Sequence, residues 1–248
     1  MINIYVRFYE ELNDFIPKHL SKKILEKELL LPTTVKDLVE SFTVPHTEVD
    51  LILVNGQSVS FDYKIADQDR VSVYPVFESF DISPIQHLQK NPLRNPCFFA
   101  EKYLWKLTRQ LRLLGTNTIY DATLNNVQII DRIVTNNEIL LTRSAQQLMH
   151  NKVTRGYCIR SDKPFDQTVE VIKRFDLRTL LQPFSRCMLC NGRIYTISKQ
   201  DVQQYLVPNT ILLYDDYYKC KDCKQIYWKG SHYQQLQKFV KRVNNLLC

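Results

Sequence analysis

Residues 2–9, INIYVRFY, alternate apolar and polar side chains, the period of a strand with one buried face. Residues 24–31, ILEKELLL, supply a hairpin partner for it. Thr34 stands where an N-cap is needed ahead of VKDLVESF, whose apolar positions recur at helical spacing. LILVNGQSV follows, and its Asn55-Gly56 pair is a strong hairpin-turn signal, because both residues tolerate positive φ. RVSVYPVF closes the segment as a further strand.

The order strand, strand, helix, strand, strand, strand over the first 81 residues is that of a β-grasp module. The next stretch, ISPIQHLQKNPLRNP, is rich in proline and poor in core candidates, which makes residues 82–96 a linker. A strand–helix alternation then begins. CFFA at 97–100 is a short apolar strand. Residues 102–114 form an amphipathic helix, with Leu104, Leu107, Leu111 and Leu114 on one face and Lys102, Lys106 and Arg109 on another. Gly115 stops it. TIYD, EILLTRS and RGYCIR are strands, and NVQIIDRIV and FDQTVEVIKRF are helices. Such alternation predicts a parallel α/β sheet over 97–180, with ligands beyond the strand C-terminal ends. Glu101, Asp121 and Ser144 stand at those ends.

Charge divides the chain in a similar way. Residues 1–85 hold 8 Lys and Arg against 14 Asp and Glu, a net of −6, whereas the remainder holds 25 against 12, a net of +13. The basic part suits a polyanion, and a solvated basic surface accounts for the charge equally well. No apolar run approaches the ~18 residues of a membrane span, so no membrane partner is expected. The first residues carry none of the features of a signal peptide, and a cytoplasmic location is expected. In that setting the 7 cysteines are thiols or metal ligands rather than disulfides.

Two Cys-x-x-Cys knuckles, CMLC at 187–190 and CKDC at 220–223, stand 29 residues apart. Each presents two thiolates from one tight turn, and Cys187, Cys190, Cys220 and Cys223 together make the tetrahedral set of a structural zinc ion. The gap is longer than usual but contains hairpin-like text, GRIYTIS and TILLYDDYY, that folds back. Redox pairs or buried free thiols are the alternatives. Cys97 and Cys158 fall in strands and are core candidates.

The runs KLTRQLRLLG, ILLTR, PFSRCMLCNG and YYKCKDCKQIYWKGSHY, in that order, resemble the Mut-seven C-terminal RNase family, a PIN-like nuclease domain followed by a zinc ribbon. The segment VPHTEVDLILVNGQSVSF, with DQDRVSVYPVFESFDI after it, resembles the ubiquitin-like module that precedes this domain in bacterial members. The resemblance covers nearly the whole chain. It implies an architecture of mixed α/β and α+β class: a ubiquitin-like β-grasp module (1–81), a linker (82–96), a PIN-like RNase domain (97–180), and a zinc ribbon with a C-terminal helix (181–248).

The family also implies RNA cleavage by carboxylates that hold Mg²⁺ or Mn²⁺ at the strand ends. Carried over residue by residue, that site is altered. Glu101 stands where the family places Asp after the first strand. Asn125-Asn126 stands where an acid opens the helix after the second strand, and Ser144 stands where the family reads Leu-Thr-Arg-Asp. One carboxylate is lengthened and two are lost. Asp121 is a substitute ligand or a strand-end turn residue, and Ser144 also suits a helix N-cap.

RNA binding can outlast such a loss. Lys102, Lys106, Arg109, Arg112 and Arg143 would meet phosphates near the groove mouth, and Lys229 and His232 would extend the contact onto the ribbon. Tyr217, Tyr218, Lys219, Tyr227, Trp228 and Tyr233 interleave aromatic and basic groups as single-stranded RNA requires, although Tyr227 and Trp228 equally suit packing of a small ribbon. Three functions follow: a ribonuclease with a poor metal site, a non-catalytic RNA-binding protein, or an adaptor whose ubiquitin-like module docks a protein partner.

Overall fold

In the computed structural model, residues 1–75, 88 and 95–247 are described. Apart from positions 88, 95 and 96, the expected linker over 82–96 lies outside them. Strand β1 (Ile2–Phe8) pairs antiparallel with β2 (Leu25–Leu29), in the register Ile2↔Leu29 to Val6↔Leu25. Helix α1 (Val35–Glu40) is capped by Thr34, whose hydroxyl accepts from the Asp37 N–H at 3.1 Å. Strands β3 (Leu51–Val54) and β4 (Gln57–Ser58) flank Asn55 and Gly56, both at positive φ (50° and 84°), as the primed hairpin turn demands. Strand β5 (Arg70–Tyr74) runs parallel to β1 and antiparallel to β3, giving the order β2-β1-β5-β3-β4. The inward residues of that sheet and Val35, Leu38 and Val39 of α1 form one apolar core. This is the ubiquitin-like β-grasp arrangement.

Next along the chain come β6 (Cys97–Ala100), α2 (Trp105–Leu113), β7 (Asn117–Tyr120), α3 (Asn126–Asn136), β8 (Ile139–Thr142), α4 (Ala145–Leu148), β9 (Gly156–Cys158) and α5 (Pro164–Arg174). The ribbon region follows with β10 (Ile194–Ile197), α6 (Lys199–Val202), α7 (Pro208–Leu213), β11 (Tyr217–Cys220), β12 (Ile226–Trp228) and α8 (Ser231–Leu246). The chain divides into two units, one formed by 1–95 with 124–158 and the other by 96–123 with 159–248.

In the first unit β8 and β9 pair in parallel, from Leu140↔Gly156 to Thr142↔Cys158. The β-grasp module is tied to them by buried polar contacts. The His46 imidazole lies between a Glu40 carboxylate oxygen at 2.6 Å and the Val153 carbonyl at 2.7 Å. The Glu48 carboxylate, 1% exposed, accepts the Cys158 N–H at 2.6 Å. A buried carboxylate bonded to a strand amide fixes that strand in place, because neither group has water as an alternative.

In the second unit β6 and β7 pair in parallel, from Cys97↔Asn117 to Ala100↔Tyr120. Leu104, Leu107, Leu111 and Leu114 are all buried, as the helical spacing predicts. Gly115 takes φ 90° to end α2, and a Cβ there would stand 2.3 Å from the Gln182 carbonyl oxygen. The ribbon sheet has the order β10-β11-β12, all antiparallel. The chain between the knuckles folds back as expected, through the antiparallel β10–β11 pair, but TILLYDDYY is not all strand: Thr210–Leu213 lie in α7, which Pro208 opens at its first turn, and only Tyr217 and Tyr218 of that run are in a strand.

Candidate metal centre and strand-end site

The two knuckles are brought together by the β10–β11 pairing, whose register sets Ile194 opposite Cys220. Cys187, Cys190, Cys220 and Cys223 then place their sulfurs within 4.8 Å of one another. Cys187 and Cys223 are 3.6 Å apart and Cys190 and Cys220 3.4 Å. Four sulfurs around one ion at the Zn–S distance of ~2.3 Å are spaced by about 3.8 Å, so the set fits a tetrahedral thiolate site with little adjustment. The turns are built for it. Asn191 adopts φ 73° and Lys224 φ 63°, and the Gly192 N–H donates to the Cys190 sulfur at 3.4 Å. A Cβ on Gly192 would stand 2.7 Å from the Cys220 sulfur.

Electrostatics make the cluster depend on a cation. Burial pushes the Cys223 thiol up to about 12, and burial also raises Cys220. At Cys190 burial acts in the same direction, but the Gly192 N–H and the thiols of Cys220 and Cys223 outweigh it and bring the group down to about 7. Four thiolates in one space need a central positive charge to coexist, and a bound dication supplies it while releasing their protons.

Two residues support the cluster from outside. The Tyr227 hydroxyl lies 3.0 Å from the Cys187 sulfur. Arg112, only 3% exposed, donates to the carbonyls of Leu189 at 2.6 Å, Met188 at 3.3 Å and Thr118 at 2.8 Å. Its guanidinium therefore ties α2 and β7 to the first knuckle. Arg112 is among the expected phosphate contacts, and here its Nε and Nη1 groups are engaged by backbone carbonyls. Desolvation lowers its pKa, with the charges of Cys190 and Cys187 acting in the opposite direction, and the three carbonyls satisfy its Nε and Nη1 groups. Neither supporting role has a short-range sequence signal.

At the strand ends, the second unit sets Glu101 and Asp121 side by side, because Ala100 and Tyr120 are register partners and each acid is the next residue. Asp121 Oδ1 accepts from the Thr123 N–H at 2.9 Å and the Thr123 hydroxyl at 2.6 Å, the closed loop of a turn residue. In the first unit Asn126 and Ser144 come together through a residue that sequence reasoning missed. Gln147 Nε2 donates to Asn126 Oδ1 at 3.0 Å, and Gln147 Oε1 accepts from the Thr142 hydroxyl at 3.0 Å. The Ser144 hydroxyl caps α4 by accepting the Gln147 N–H at 3.4 Å, while the Ser144 N–H donates to the Thr142 hydroxyl at 3.0 Å. Asn126, Ser144 and Gln147 line an open groove of about 690 Å³, with Asp131, His150 and Lys152 also on its wall. These three side chains are neutral and are linked to one another through Gln147.

Of the remaining candidate phosphate contacts, Lys102 is exposed in the single turn that precedes α2, Lys106 and Arg109 are exposed on α2, and Arg143 is exposed after β8. His232 is exposed in the first turn of α8. Lys229 is exposed but bonded to Asp216 at 2.7 Å, which favours its charged form. The ribbon aromatics are mostly engaged. Tyr217 is fully buried and donates to the Thr210 and Tyr214 carbonyls, and Tyr233 packs on Phe184 with centroids 4.8 Å apart. Among the described residues no helix is long and apolar enough to cross a membrane.

A comparison with curated proteins finds no match. Among solved structures, a putative molybdopterin converting factor, subunit 1, from Pyrococcus furiosus is similar, with 25% identity, 30% of this chain and 98% of that chain covered, and a TM-score of 0.25. Two family models match: the Mut7-C ubiquitin model over residues 1–81 and the Mut7-C RNAse domain model over residues 96–240. With more than half of its length so matched, this chain belongs to the Mut7-C RNAse domain family, preceded by a Mut7-C ubiquitin module.

Proposed function

We propose that this protein binds single-stranded RNA through its RNase-family domain and ribbon, and that its metal-dependent cleavage is weak or lost. The observation that carries this reading is the bonding of Asn126 and Ser144. A divalent ion needs charged oxygens, and these two positions offer a carboxamide oxygen held by Gln147 and a hydroxyl that caps a helix. In the second unit, Asp121 at the end of β7 is engaged by Thr123. A site with fewer formal charges holds Mg²⁺ or Mn²⁺ less tightly, since each carboxylate contributes a Coulomb attraction across a short distance.

The cysteine cluster holds zinc in a structural role, because four thiolates in a tetrahedron with no open position leave no room for a reacting water. We assign residues 1–81 to a ubiquitin-like module that also docks a protein partner, 82–96 to a linker, 97–180 to the PIN-like domain, and 181–248 to the ribbon and its helix. A bacterial, cytoplasmic setting fits the pairing of these modules and their free cysteines.

The test is a gain of function. Changing Asn126→Asp and Ser144→Asp together restores two charges beside Gln147. Mn²⁺ affinity measured by calorimetry rises at least about 10-fold if the missing charge is the defect. No change in Mn²⁺ affinity would overturn the assignment of these two positions.

A further inference from the structure

Tyr217 is buried in the ribbon and Tyr214, Tyr218, Tyr227, Trp228 and Tyr233 are half-buried, but two aromatics that its motifs do not advertise stand out into solvent. Tyr195 is 46% exposed on β10 and Tyr205 is 62% exposed in the turn after α6. The β10–β11 register sets Tyr195 directly opposite Lys219, so both side chains leave the same face of the sheet. Lys219 Nζ lies 5.4 Å from the centroid of the Tyr205 ring, which places that ring on the same lysine. The result is a row of ring, cation and ring.

The surroundings are basic. Arg193 and Lys221 are both exposed, and the Lys221 N–H bonds to the Arg193 carbonyl at 2.9 Å, so two more cations adjoin the row where the strand pair meets the knuckles. Residues 181–248 hold 10 Lys and Arg against 4 Asp and Glu, a net of +6. Exposed flat rings beside cations match a polymer that alternates flat bases with phosphates. A folded apolar protein surface has no use for the cations, and a duplex keeps its bases stacked inside, out of reach of the tyrosines.

We propose that Tyr195 and Tyr205 are base-stacking residues for single-stranded RNA, with Lys219 as the phosphate contact between them and Arg193 and Lys221 carrying the strand onward along the ribbon. This inference rests on the RNA-binding reading above and names a second stretch of contact, distinct from the groove beside Asn126 and Ser144. The platform adjoins the cysteine cluster, because β10 follows the first knuckle and β11 ends in the second.

The experiment uses the full chain and a fluorescein-labelled single-stranded oligouridine, read by anisotropy at low salt. Tyr195→Ala and Tyr205→Ala each weaken binding by about 5- to 150-fold, the range of one lost stacking contact. Tyr195→Phe and Tyr205→Phe keep affinity near that of the unchanged protein, because a ring without its hydroxyl still stacks. Lys219→Ala lowers the slope of log affinity against log salt by about 0.7, the value for one phosphate contact on a single strand. Zinc content and the circular dichroism spectrum of each variant stay unchanged, since both tyrosines are exposed. If the unchanged protein binds and both alanine variants bind equally well, the platform is refuted while the RNA-binding reading stands. If the unchanged protein binds no RNA, both fall.

Discussion

Arg112 distinguishes a structural from an RNA-contacting role more sharply than any other basic residue. Changing Arg112→Met keeps the length and removes the donors. Three carbonyls, those of Thr118, Met188 and Leu189, then lose their partner in a site where the arginine is 3% exposed. An unsatisfied buried polar group costs roughly 1–3 kcal/mol. The methionine recovers part of the packing, and water reaches some of the carbonyls, so a loss of about 3–5 kcal/mol is expected. For a chain of this size, 1 kcal/mol shifts the melting temperature by about 2–4 °C, which makes the expected drop roughly 6–20 °C. Because two of the carbonyls belong to the first knuckle, metal should also leave the variant faster when a chelator is added. The assay is a thermal melt with and without chelator, alongside oligouridine binding below the melting range. A melting temperature within about 2 °C of the unchanged protein, with RNA affinity clearly reduced, would refute the argument and return Arg112 to the phosphate-binding set.

Tyr227→Phe removes the hydroxyl at the Cys187 sulfur, and metal affinity in a competition titration should fall by about 10- to 100-fold while the fold is retained; an unchanged affinity would show the contact to be incidental. Lys106→Ala with Arg109→Ala removes two exposed cations from α2, so the salt slope for single-stranded RNA should drop by about 1.4, and an unaltered slope would take α2 out of the interface.

Much of the architecture was legible because it rests on local rules. Asn55 and Gly56 accept positive φ, Thr34 and Ser144 cap the next helix, and Gly115 ends α2 where any Cβ would collide. The knuckles were legible because each pair of thiols is set by one turn. What escaped depends on long-range contact. Arg112 lies 76 and 77 residues from the carbonyls it holds, so in sequence it looked like another surface cation of a basic helix. Gln147 reaches Asn126 across 21 residues, and nothing in AQQLMH marks it as part of the site. The aromatic run around Tyr217 is the more conspicuous in sequence, yet Tyr217 is buried while Tyr195 and Tyr205 are exposed. Pro208 was the missed local signal: it opens a helix where the apolar run alone suggested a strand.

The central claim is that neutral groups at Asn126 and Ser144 leave a family nuclease site able to meet RNA but poor at cutting it. The most direct measurement is the cleavage of end-labelled single-stranded RNA by the unmodified, zinc-loaded protein, with Mg²⁺ or Mn²⁺ titrated and the RNA-bound fraction recorded in parallel. The account predicts a bound complex with little or no metal-dependent product. Rapid metal-dependent cleavage that Glu101→Gln abolishes would contradict it.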